Sequence, residues 1–199
     1  MNLEKYQQYS RIARGLEKAD LVLKDARIVN VFTEEIIRGD IAIQDGIIAG
    51  IGSFHGKEER DLAGRYVCPG FIDSHLHLES TLVTPAELVT VASRHGTTTF
   101  IVDPHESANV SGLAGIDYIL DQTEDVKANV YVMMPSCVPA TAIDDNGCTL
   151  TAEDMAPYLH NSRILGLGEV MDSISVVQGE KSMHDKLELF EGRLRDGHA

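Results

Sequence analysis

Apolar residues recur at helical spacing near the start of the chain, at Leu3, Tyr6, Tyr9, Ile12, Ala13 and Leu16, with charges between them. The spacing predicts an amphipathic lead-in helix over residues 3–18. The pattern then shortens. Residues 19–31 and 39–52 are β-branched runs, and the second is broken by Asp45-Gly46, a tight hairpin signal. Residues 20–65 therefore read as a small β meander. From residue 66 the pattern becomes an alternation of strand and helix. Strands are expected at 66–73, 97–103, 129–135, 164–170 and 192–198, and helices at 84–95, 111–124, 151–160 and 182–190. Such alternation implies parallel strands joined by right-handed crossovers. Thr84 followed by Pro85 suits a helix cap and first turn.

Polar residues gather just after the carboxyl ends of these strands. Asp73, His75, His77 and Glu79 follow the first, and Asp103, His105 and Glu106 follow the second. Ser136 follows the third, Glu169 and Asp172 lie at the fourth, and His198 at the fifth. A parallel barrel carries its active site on that face. A doubly wound sheet also binds ligands at carboxyl ends, so the clustering alone leaves the architecture open.

His75 and His77 carry the sharpest chemistry. Side chains two apart on a strand point to one face, about 7 Å apart along it, and two imidazoles so placed can converge on one metal ion. Asp103 before Pro104 is also a common turn arrangement, and Glu169 could be a surface carboxylate, so their roles are open on the residues alone.

Composition narrows the function classes. The 199 residues are 43% hydrophobic, which fits a folded core of ordinary size. A net charge of −14 argues against nucleic acid or an anionic membrane as partner. No apolar run is long enough to span a bilayer, and the first residues lack the apolar core of a signal peptide. Three cysteines, Cys68, Cys137 and Cys148, with no Cys-x-x-Cys spacing, indicate neither a disulfide framework nor a zinc ribbon. A reducing cytoplasm is the expected setting.

The stretch Pro69-Gly70-Phe71-Ile72-Asp73-Ser74-His75-Leu76-His77 resembles the first-strand signature of the amidohydrolase superfamily. Three further stretches resemble its metal-dependent adenine deaminases of bacteria and archaea: residues 77–85, Asp103-Pro104-His105-Glu106 with the four residues after it, and Gly166-Leu167-Gly168-Glu169-Val170-Met171. The terminal Asp196-Gly197-His198-Ala199 is similar to that family's fifth-strand motif. The resemblance covers nearly the whole chain in order.

It implies an α/β fold: the N-terminal part of an amidohydrolase (β/α)8 TIM-like barrel over 66–199, preceded by a small β-sandwich segment over 19–65 and the lead-in helix over 1–18. It implies hydrolytic deamination of adenine to hypoxanthine and ammonia in purine salvage. The implied cofactors are two divalent metal ions, manganese or iron foremost and zinc as an alternative. His75 and His77 match ligands of the first metal, Glu169 the carboxylate that bridges both, and His198 a ligand of the second. Asp103, His105 and Glu106 match a polar group with a role in catalysis or proton handling. Glu79 is not part of that match: it continues the i, i+2, i+4 series from His75 and His77, which leaves substrate binding or support of the ligands, or no role if the strand ends before it. Ser136 and Asp172 are given no role. Adenine is the expected small-molecule partner, with neither nucleic acid nor membrane, and the full-length protein is expected to be a homo-oligomer.

A member of that family would continue through three more strands carrying another histidine and a late aspartate. The chain is therefore expected to be the N-terminal portion of a longer enzyme, inactive alone because half a barrel leaves open edges and an apolar face. Two other readings remain: a related cyclic-amide or deacetylase amidohydrolase, and a non-catalytic metal-binding remnant.

Overall fold

The computed structural model describes residues 2–141 and 143–197. The chain divides into two compact units, Met1–Pro69 and Gly70–Ala199.

In the first unit, α1 (Leu3–Ala13) is capped by Asn2, whose side chain accepts the Lys5 N–H. The helix buries Ile12 against Ala19, Val22, Ala42 and Phe54. It stops short of the expected residue 18 because Gly15 takes a φ of 71°, a conformation that suits glycine at a helix end. The strands are β1 (Ala19–Asn30), β2 (Glu35–Gln44), β3 (Ile47–Gly52), β4 (Gly56–Asp61) and β5 (Tyr66–Val67). β1, β2 and β3 form the expected antiparallel meander, turned at Asp45-Gly46 with φ positive at both residues. β4 and β5 depart from it, because both pair with β1 in parallel.

Asp40 is the buried polar centre of this sheet. It accepts from Lys24 Nζ at 2.5 Å and from the amides of Asp25 and Phe54, each at 3.1 Å. Burial alone would raise its pKa, but the Lys24 ammonium and the two amides outweigh burial and hold it below the usual carboxylate value. The stabilisation is complete above the unfolded value of about 3.9 and is lost as pH falls through the lower folded value. Asp40→Ala is expected to destabilise the protein by about 2 kcal/mol at pH 7, since it strands a partly buried ammonium and two amides. Urea unfolding of variant and parent should show that difference shrinking towards pH 3.

The second unit contains β6 (Phe71–Leu76), α2 (Pro85–Ser93), β7 (Thr97–Val102), α3 (His105–Ser111), α4 (Leu113–Gln122), β8 (Asn129–Pro135), α5 (Ala152–Met155), β9 (Ile164–Val170), α6 (Ser173–Gln178), α7 (Lys181–Leu189) and β10 (Leu194–Gly197). Short 3-10 turns cover Glu79–Thr81 and Ala156–His160. The five strands form one parallel sheet in the order β10-β9-β8-β7-β6. The order never reverses. A doubly wound sheet would reverse it at a switch point, whereas a curling half-barrel keeps sequence neighbours adjacent. Phe100, Val102, Val130, Val132, Met134, Ile164 and Leu167 pack beneath Val89, Ile116, Ile119 and Phe190 from the helices.

Two departures bear on the site. The strand expected at 66–73 is split at Cys68-Pro69-Gly70. Pro69 cannot donate to a ladder, and a Cβ on Gly70 would lie 2.0 Å from Thr98 Oγ1. β6 therefore starts at Phe71 and reaches His75. The helix expected at 111–124 is preceded by a separate one, α3, and Gly112 (φ 61°, ψ −138°) separates the two. Among the described residues no helix is long and apolar enough to cross a membrane.

Candidate metal centre

β6 ends at Leu76, whose carbonyl accepts the Asp103 N–H at 3.0 Å. This bond ties the carboxyl ends of β6 and β7 together, so the loop after each strand opens on the same side. His75 near the end of β6 and His77 one residue past it converge, and their Nε2 atoms stand 3.2 Å apart. His77 Nδ1 lies 2.6 Å from the Asp103 carbonyl. A carbonyl only accepts, so Nδ1 carries the ring proton and Nε2 presents its lone pair.

Glu169, near the end of β9, meets both rings. Its Oε1 is 3.0 Å from His75 Nε2 and 3.4 Å from His77 Nε2. Its Oε2 faces away from them, 3.2 Å from His105 Nδ1. That nitrogen is in turn 2.5 Å from Asp103 Oδ1. His75, His77 and Glu169 form one group able to hold a metal ion, and Asp103, His105 and Glu169 form another, so one carboxylate serves both.

The first group fits a cation on its own chemistry. His77 Nε2 presents a lone pair beside His75 Nε2 and a Glu169 oxygen, and two imidazoles with one carboxylate are a donor set that suits a divalent cation. Burial disfavours the charged ring of His77, but the Asp103 carbonyl and the carboxylates of Glu106, Glu169 and Asp103 outweigh burial and raise its pKa. The local field thus favours positive charge. In the second group, burial pushes the Asp103 carboxyl up. The Asp103 oxygens and His105 Nδ1 are buried without a hydrogen bond of good geometry. His105 Nε2 accepts the Cys137 N–H at 3.4 Å, which places the proton of the neutral ring on Nδ1, between the two carboxylates. His105 Nδ1 thus faces both carboxylates at short range, with a hydrogen bond of good geometry to neither.

Glu79 and Glu106 lie on the outer side of His77. Glu79 Oε1 accepts the amides of Glu106 and Ser107 at 3.2 and 3.4 Å, at the first turn of α3. Burial, then the hydrogen bond with Glu106, raises the Glu79 carboxyl to about 7. Burial would raise Glu106, but the bond from Glu79, a backbone amide, the His77 ring and the Ser80 hydroxyl together outweigh it and lower the carboxyl. Of the two, Glu79 keeps the proton. Glu106 Oε2 is 3.3 Å from His77 Nδ1, and its side chain is 56% exposed.

Seven of the eight residues singled out in the sequence thus lie in one connected cluster, and His198 lies outside the described residues. Asp172 caps α6, accepting the Ser175 N–H at 2.9 Å. Asp196 was passed over in the sequence, yet its Oδ1 accepts the Glu169 N–H at 2.8 Å. Its place in the expected strand, two positions before His198 in the sequence, was the available signal.

The profile of the Amidohydrolase family matches residues 66–191. The chain is 57% identical over 199 residues to a protein named adenine deaminase from Desulfitobacterium hafniense (strain Y51), covering 100% of this chain and 35% of that protein. It is 50% identical over 183 residues to an adenine deaminase from Geobacillus kaustophilus, covering 91% of this chain and 32% of the relative. With adenine deaminase 2 of Carboxydothermus hydrogenoformans it shares 49% identity over 188 residues, 94% of this chain and 33% of the relative. The chain spans about a third of the length of the curated relatives it matches. A profile match over more than half of the chain, on a parallel sheet whose carboxyl ends gather two histidines and a buried glutamate, settles the kinship: the chain belongs to the amidohydrolase family.

Proposed function

We propose that the full-length protein carrying this chain hydrolyses adenine to hypoxanthine and ammonia, and that this chain supplies the first part of its active site. The observation that carries the reading is Glu169, whose two oxygens are turned to two different donor groups. The relatives, named adenine deaminases, suggest the substrate.

His75 and His77 would hold a first divalent ion with Glu169 Oε1, and Glu169 Oε2 with His198 would serve a second, manganese or iron ahead of zinc. Such an ion would lower the pKa of a water it binds to about 7. The chain's own residues do the rest. The Asp103 carbonyl fixes the His77 tautomer, so Nε2 stays available as a ligand. His105 Nδ1 stands between the carboxylates of Asp103 and Glu169, 2.5 and 3.2 Å from them, where its ring can balance their charge. Glu79 stores a proton near neutral pH, and its exposed neighbour Glu106 can relay that proton to the departing amine. Water gives one proton to the ring nitrogen beside C6 and returns the other to Glu79 through Glu106, so adenine and water give hypoxanthine and ammonia and Glu79 ends protonated as it began.

The curled sheet would be the first five strands of a (β/α)8 barrel, and the first unit would contribute to a β-sandwich. All three cysteines are free thiols, which suits a reducing cytoplasm. We also expect a homo-oligomer.

The test is ammonia release by the manganese-loaded full-length protein. Adenine should yield ammonia and hypoxanthine in equal amounts, a chelator should stop the reaction, and added manganese should restore it. Turnover of a cyclic amide or an N-acetyl sugar with none of adenine would sink the assignment.

A further inference from the structure

Glu169 has a φ of +34°, a left-handed backbone that a residue with a long side chain rarely adopts. Such a conformation persists only where its surroundings over-determine it. Here both backbone polar groups of Glu169 are taken by side chains. Its N–H donates to Asp196 Oδ1 at 2.8 Å, and its carbonyl accepts Ser136 Oγ–H at 2.8 Å. The ladder between β9 and β10 shifts register between Arg195 and Gly197, so a bulge delivers the Asp196 carboxylate to that amide.

Ser136 is itself pinned. It is fully buried, its N–H donates to the Gly168 carbonyl at 3.2 Å, and its carbonyl accepts Lys186 Nζ at 2.7 Å. Lys186 is 7% exposed, an unusual burial for an ammonium on a helix. Asp196 reaches a second member of the site, since its Oδ2 lies 3.8 Å from His75 Nδ1.

We propose that Ser136, backed by Lys186, and Asp196 are positioning residues that hold Glu169 in its left-handed backbone, so that its carboxylate lies across both donor groups. The inference rests on the reading of Glu169 as a shared metal ligand. Released from either side, the backbone would relax to the extended form normal for a strand. The carboxylate would then turn away from one group, and the ions would lose their common ligand.

The test is made on the full-length protein with manganese as the probe. Bound manganese per chain is titrated, and exchange coupling between two Mn(II) ions is read by electron paramagnetic resonance. Ser136→Ala and Asp196→Ala are expected to weaken the second equivalent at least tenfold and to remove the coupled signal at equal loading. Asp196→Asn keeps an acceptor for the Glu169 amide and should recover the coupled signal. A role confined to folding would lower the melting temperature and leave the coupling unchanged. Coupling and affinity at parental values in both alanine variants would overturn the proposal. If Ser136→Ala does not fold, the Asp196 pair decides alone: equal signals from alanine and asparagine overturn it. Glu169→Ala separates the two levels, because two coupled ions in that variant would refute the shared-ligand reading itself.

Discussion

Glu169→Ala is expected to reduce adenine deamination by the full-length protein about a thousandfold or more, equivalent to about 4 kcal/mol of transition-state stabilisation. The size follows from the position of the carboxylate. One oxygen lies within 3.4 Å of both His75 and His77, and the other lies 3.2 Å from His105, so one truncation takes a ligand from each group. Glu169→Gln should fall between the two, since the amide keeps one acceptor oxygen and turns a donor towards the other side. Steady-state ammonia release, with metal content measured on the same samples, checks both variants. Activity within tenfold of the parent in Glu169→Ala would remove Glu169 from the mechanism.

The second large effect is expected at Gly168. A Cβ there would lie 2.0 Å from Asp103 Oδ2, 2.8 Å from Asp103 Cγ and 2.7 Å from Met133 Cβ. The Asp103 carboxylate can swing away, but the Met133 Cβ is fixed by the backbone of β8. Gly168→Ala must therefore both displace Asp103 and spread β8 from β9, at a cost of about 3 kcal/mol. Urea midpoints measure it. Adding Asp103→Ala should relieve only the carboxylate clash, so the double variant should recover part of the loss. A Gly168→Ala midpoint equal to the parent's would show that the two strands do not pack as described.

Much of the fold was legible along the chain. Strands β7, β8 and β9 lie within a residue of the apolar runs that predicted them, because buried parallel strands read as continuous apolar stretches. The convergence of His75 with His77 was expected from the alternation of a strand, and it holds although β6 ends at Leu76, one residue before His77. The arrival of Glu169 between them needed the family resemblance, since nothing in residues 164–170 says which face position 169 takes. Its positive φ is not the backbone of a regular strand, so simple alternation does not assign its face. α3 escaped notice because His105-Glu106-Ser107 carries no apolar period and follows a proline. The parallel pairing of β4 and β5 with β1 depends on the path of the chain after β3, which local propensity does not encode. Ser136 and Asp196 escaped for the same reason. Their significance lies in the backbone of a residue 33 and 27 positions away.

The most direct test of a shared Glu169 is anomalous scattering from crystals of the full-length protein grown with manganese. The account predicts two manganese peaks on opposite sides of the Glu169 carboxylate, the first coordinated by His75 Nε2, His77 Nε2 and Glu169 Oε1, the second reached by Oε2. A single peak, or two peaks neither of which touches Glu169, would contradict it.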